Sequence, residues 1–167
     1  MVNKVTTGIT IGKEVEVEFV PKLGQTDYTN IKYAPVVNCV LAHEGKILLI
    51  QRSQRMRFYP GYWGGISGFL DDYSGVSEKV KHEIKEEAGI EKNRIVKISE
   101  GAVVEQPEPA YKKVWVIHPV RVDISTEEIK LDWEGQDYAW VAPDEANGYN
   151  LLPGFGKVIS ALFPDQL

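Results

Sequence analysis

Glu83, Glu86 and Glu87 bring three carboxylates together at the end of one amphipathic segment, Gly75 to Ala88. With Val80 as the origin of a helical wheel, Val76 and Ile84 fall about 40° to either side and define an inward face. Glu87 then lands about 20° from Val80, Glu83 about 60° and Glu86 about 120°. Lys81, His82 and Lys85 take the opposite side. A surface helix ordinarily keeps glutamates off its apolar stripe, because an ionised carboxylate buried without a partner is costly or becomes protonated. A divalent cation relieves both the burial and the mutual repulsion of such acids. Donors that are all oxygen favour magnesium, calcium or manganese. A solvated Glu/Lys face is the alternative that the spacing leaves open.

A second group of residues precedes this segment. Gln51 to Trp63 contains Arg52, Arg55 and Arg57, followed by Phe58, Tyr59, Tyr62 and Trp63. Arginines can hold phosphate oxygens by paired hydrogen bonds, and the aromatic rings could stack on a base. Exposed arginines and core-packing aromatics are the competing reading. Cys39 lies in an apolar run and reads as a small core residue. No His/Cys cluster has the spacing of a zinc site.

These residues need elements to position them. Val36 to Leu41 and Lys46 to Ile50 read as a hairpin turned by His43-Glu44-Gly45. Gln51 to Gly68 is rich in glycine and reads as loop. Gly75 to Ala88 reads as a helix, with Ser74 or Gly75 at its N-cap, Glu78 in its first turn and Gly89 just past its end. Arg94 to Glu105, Lys113 to Ile124 and Tyr138 to Val141 read as strands. Pro143 to Ala146 and Lys157 to Phe163 read as short helices. The order predicts an α/β protein with a mixed sheet covered by helices on both faces, an α/β/α sandwich. Residues 1–30 read as an N-terminal β-hairpin extension ahead of a domain over 31–167. Its alternating runs at 8–12 and 15–20 suit an added hairpin or a homodimer arm.

The 167-residue chain is 43% hydrophobic and 26% charged, ordinary for a globular domain. Its net charge of −5 argues against nucleic acid as a partner. No apolar run is long enough for a membrane span or signal peptide. A single cysteine fits a reducing compartment, so the expectation is cytoplasmic.

Gly68, followed by His82-Glu83-Ile84-Lys85-Glu86-Glu87-Ala88-Gly89-Ile90, resembles the Nudix box of the Nudix hydrolase superfamily. The box runs Gly, five residues, Glu, seven residues, then Arg-Glu-apolar-x-Glu-Glu-x-Gly-apolar. Two positions depart from it: Ser74 stands where the first Glu belongs, and His82 where the Arg belongs. Asp71 and Asp72 are near enough to replace the missing acid. The resemblance implies an α/β/α sandwich and metal-dependent hydrolysis of a nucleoside diphosphate linked to another group. It implies magnesium, with manganese as a substitute, held by Glu83, Glu86, Glu87 and the Ser67 carbonyl. Glu134, in Glu134-Gly135-Gln136, resembles the distant metal-binding glutamate of MutT-type members. The general base would be Glu83 or an acid from a later loop. The same fold also hosts ligand sensors and isopentenyl-diphosphate-isomerase-like enzymes, which are the alternative functions. The isomerase would need a cysteine near the box, where this chain has Gly64-Gly65-Ile66-Ser67.

Overall fold

A computed structural model describes residues 20–166. The alternating run at 8–12, and that at 15–20 except Val20, lie outside the described residues.

Strands β1 (Tyr33–His43) and β2 (Lys46–Arg52) form the expected hairpin. Glu44 and Gly45, with φ of 46° and 80°, make its turn, the left-handed pair that matches strand twist. Next come β3 (Trp63–Gly64), β4 (Ile66–Phe69) and helix α1 (Val76–Ala88). Strands β5 (Ile95–Glu100), β6 (Val104–Glu108), β7 (Lys113–Ile124) and β8 (Gly135–Val141) follow, and α2 (Phe155–Leu162) closes the order. The strands make one mixed sheet: β1 and β7 run parallel through Tyr33 to Ala42, and the other named pairs are antiparallel.

Two stretches differ from the sequence reading. The loop expected over 51–68 contains β3 and the start of β4. Glycine and serine give β4 little strand propensity of its own, and its order comes from pairing with Val36 to Cys39 of β1. The single strand expected over 94–105 is two strands, both paired to β7. Pro119 of β7 has no N–H to donate to a ladder, and the chain turns there on a bond from the Gly101 N–H to its carbonyl.

Alternation along β1 sorts the core into two layers. Val37, Cys39 and Leu41 pack with Val80 and Ile84 of α1, while Val40 and Ala42 pack with Phe155, Val158 and Ile159 of α2. The sheet therefore has a helix on each face, as expected. No helix among the described residues is long and apolar enough to cross a membrane.

Candidate active site

Helix α1 is bounded by its caps Gly75 and Gly89, and the φ of 68° at Gly89 is the left-handed conformation that glycine adopts without strain. Within it the wheel's ranking holds: Glu87 is buried, Glu83 half-buried and Glu86 exposed. Glu87 is only 8% exposed, and its Oε1 has no hydrogen-bond partner. Burial pushes the Glu87 carboxyl well above the usual carboxylate range, and Glu134, Glu83 and Asp132 push the same way. Burial also raises Glu83, with Lys79 opposing it. Glu134 is pushed up to about 7 by burial and by Asp132, with Arg52 pulling back. Burial is the largest cause in all three, and the neighbouring carboxylates add to it while Lys79 and Arg52 offset only part.

Glu134 reaches this group because the 125–134 loop lies along the end of α1. The Lys130 N–H donates to the Ala88 carbonyl (3.0 Å) and the Asp132 N–H to the Glu87 carbonyl (3.3 Å). Glu83 and Glu134 both line a cavity of about 490 Å³, within the size range of small-molecule sites. Most of this cavity lies on the sheet face opposite α1, under Val36, Asn38, Ser67, Phe69 and Trp115. Glu83 reaches it past β4, across Gly68. Gly68 pairs with Val37 and so faces the helix, and a Cβ there would lie 2.5 Å from Glu83 Oε1.

The missing box acid has a counterpart in Asp71. Asp71 is 7% exposed and accepts from Lys79 Nζ at 3.2 Å, while the same ammonium lies 3.2 Å from Glu83 Oε1. Burial works against the Lys79 charge, but Glu83 and Asp71 outweigh it and raise its pKa. Asp72 instead caps the turn at Ser74, whose N–H it accepts, and stays exposed. His82 is exposed, with Nδ1 3.3 Å from Glu86 Oε2.

The arginines separate. Arg52 is partly buried, donates from Nε to the Phe58 carbonyl (2.9 Å) and reaches Ser67 Oγ at 3.5 Å. Burial lowers its pKa, while Glu87 and Glu134 oppose the drop. Arg57 lines the cavity with its guanidinium 5.1 Å from the Phe58 ring centre. Arg55 does not line it; its guanidinium lies over Trp133. Tyr62 and Trp63 also lie off the cavity: Tyr62 stands edge-on to Tyr59, and Trp63 packs on Tyr149 beside the α2 core. Strand β3 turns Trp63 away because it pairs with Gln51 on one side and bridges to Leu151 on the other.

A divalent cation would suit the chemistry of Glu83 and Glu87, with Glu134 beside them, since the orphaned Glu87 Oε1 and the mutual repulsion are what a cation would relieve. Among the described residues, the ligand atoms that lie within 4.8 Å of one another on this helix are those of His82, Glu83 and Glu86, not those of Glu83, Glu87 and Glu134. That set includes two exposed, mutually paired side chains, whereas Glu87 is buried with an unpartnered oxygen, so the Glu87 side is the better-motivated one. Cys39 is buried against α1, and burial raises its thiol pKa well above the ordinary value.

The sequence reading missed Lys79 and Asn38. Lys79 stands one helical turn before Glu83, a spacing that allows an ion pair. Asn38 interrupts the apolar run Val36 to Leu41, is buried, and its Oδ1 has no partner.

The NUDIX domain model matches residues 32–162. The nucleoside triphosphatase NudI of Escherichia coli O139:H28 is 24% identical, over 70% of this chain and 86% of that protein. The crystal structure of the MutT protein from Methanosarcina mazei Go1 superposes with a TM-score of 0.63 at 23% identity, covering 77% of this chain and 91% of that one. The NUDIX domain of Shewanella oneidensis NrtR, crystallised with ADP-ribose, superposes with a TM-score of 0.65 at 20% identity, covering 84% and 93%. Given a family match over most of its length and a layered fold carrying the box on α1, this chain belongs to the Nudix family and is a Nudix-type hydrolase.

Proposed function

We propose that this hydrolase cleaves the phosphoric anhydride bond of a nucleoside diphosphate linked to another group, with magnesium as cofactor and manganese as a substitute. The observation that carries the reading is the buried, unpartnered Glu87 carboxylate, which lies behind two acids, Glu83 and Glu134, that do line a ligand-sized cavity and that raise its pKa. Glu83, Glu87 and the Ser67 carbonyl would hold the cation, with Glu86 nearby as a further or water-mediated contact. When bound, the cation would neutralise phosphate oxygens and acidify water.

The chain's own residues do the rest. Lys79 and Gly68 fix the Glu83 carboxylate, the first by charge and the second by leaving room. Glu134 accepts the proton of the attacking water at its carboxylate; its position on a loop facing the cavity and its pKa near neutrality both suit a base. Arg52, between Glu87 and Glu134 and beside Ser67, balances the acids and is the arginine placed to meet a phosphate oxygen. Two relatives support the substrate class: one is named a nucleoside triphosphatase and the other holds ADP-ribose.

The test is a panel of nucleoside triphosphates, dinucleoside polyphosphates, ADP-ribose and nucleotide sugars, each with magnesium or manganese, with products identified by mass. Cation-dependent release of a mononucleotide or inorganic product from one class is expected. No turnover across the panel would overturn the reading.

A further inference from the structure

Part of the cavity wall comes from outside the family domain. The Nudix match begins at residue 32, yet Thr26, Asp27, Tyr28 and Thr29 line the cavity. This strap is held firmly. Lys113, 5% exposed, points Nζ at the carbonyls of Tyr28 (2.5 Å), Thr29 (3.3 Å) and Ile31 (2.8 Å). An ammonium has three donors, so Lys113 is committed to the strap and is not free for a phosphate. The Tyr28 ring stacks on Phe69 at 5.8 Å with planes 6° apart, and its hydroxyl donates to the Leu70 carbonyl at 3.3 Å.

Beyond the strap the wall is aromatic. Phe69 lies 6.1 Å from Trp115, and Phe58 stands edge-on to Trp115 at 5.1 Å. Trp115 is itself fixed, because its Nε1 donates to Tyr59 Oη at 2.8 Å. Two opposite charges, Asp27 and Arg57, also line this region. A diphosphate bound near Glu83 needs cations and N–H donors, and it would leave the half-buried rings of Tyr28, Phe58 and Phe69, backed by the buried Trp115, without a partner from the ligand. A flat ring with polar edges would use the wall by stacking, and the charged groups by hydrogen bonding.

We propose that the 25–31 strap, with Phe58, Phe69 and Trp115, forms a specificity compartment that takes the nucleobase of the substrate, Tyr28 being its chief determinant. This rests on the substrate class proposed above and adds which part of the chain selects it. Tyr28 and Lys113 act on binding of the ring; neither touches Glu83, Glu87 or Glu134.

The experiment compares binding of AMP, GMP, CMP and UMP with binding of ribose 5-phosphate by calorimetry in magnesium. It uses the full chain, Tyr28→Ala and Lys113→Met, with a thermal melt of each to verify folding. At least one nucleotide should bind the full chain about tenfold more tightly than ribose 5-phosphate. Tyr28→Ala should weaken that nucleotide about three- to tenfold, the scale of one ring contact, and leave ribose 5-phosphate unchanged. Lys113→Met, if folded, should act in the same direction by loosening the strap. Equal binding of ribose 5-phosphate and all four nucleotides, no binding of any of them, or a Tyr28→Ala preference equal to that of the full chain would overturn the proposal. Turnover measured in parallel separates the two readings. Ring-dependent binding without hydrolysis of any diphosphate sinks only the proposed activity, and hydrolysis without ring preference sinks only the compartment.

Discussion

Gly68 and Glu83 share one volume: a Cβ on the glycine would sit 2.5 Å from Glu83 Oε1 and 2.6 Å from its Cδ. The glycine's φ is not in the left-handed region, so the reason for glycine here is room and not backbone freedom. Gly68→Ala should therefore fold, because β4 keeps its pairing with β1 and alanine restricts the unfolded chain. The Glu83 carboxylate must move aside instead. Activity should fall by about tenfold or more, since small displacements of a reacting group are costly. Steady-state kinetics beside a thermal melt test this. Unchanged kcat would show that the Glu83 position seen here is not the working one.

Lys79 sits between Asp71 and Glu83, 3.2 Å from each, on a helix whose box lacks the family's arginine and first glutamate. Lys79→Met should leave one buried acid, Asp71, and one half-buried acid, Glu83, without their cation. We expect kcat to drop with little change in KM, and Lys79→Arg to recover part of it, because arginine keeps the charge with a different fork. If KM rises while kcat holds, Lys79 binds substrate instead. A matching loss in Asp71→Asn would tie the effect to the pair.

The carboxylate helix was legible because two independent signals agreed on it. Its periodicity put Glu87 and Glu83 on the inward side, and its caps bounded it at Gly75 and Gly89. The strands β1, β2 and β7 were legible from their own residues. What could not be read was tertiary in origin. Strand β4 is ordered by its partner, and the loop-like neighbours of Trp63 leave both a ligand contact and core packing open, whereas pairing turns it to Tyr149. The strap over 25–31 carries no periodic pattern, so its place against Lys113 could not be foreseen. Asn38 was visible as a polar residue in an apolar run, but strand alternation alone does not say which layer it meets.

His82 replaces the family arginine at the outer edge of the acids, within 4.8 Å of Glu83 but with only a small effect on its charge beside burial and Lys79. It is exposed and its near neighbour is Glu86, which is exposed too. His82→Arg should leave activity equal or raise it, by at most about threefold, the scale of an exposed ion pair. The measurement is kcat/KM at fixed magnesium. A clear loss would mean that the imidazole itself touches substrate or solvent in the reaction.

Glu87 is the residue on which the metal reading can be tested without turnover. Its Oε1 is buried and unpartnered, and burial with three neighbouring acids raises its pKa. Such a group stabilises the fold little while it is charged, because a buried charge without a partner costs more than its contacts return. Two opposite outcomes follow for Glu87→Gln. Without divalent cation the variant should melt at the same or a higher temperature than the parent, since a neutral amide replaces a strained carboxylate. With magnesium the parent should gain stability in proportion to ligand binding, by the linkage that raises Tm for any species bound only by the folded chain. The variant should lose most of that gain along with most of its activity. Calcium should also raise the parent's Tm, because oxygen donors do not exclude it. A parent Tm indifferent to magnesium, manganese and calcium alike would leave Glu87 as a protonated core acid and remove the metal from this site.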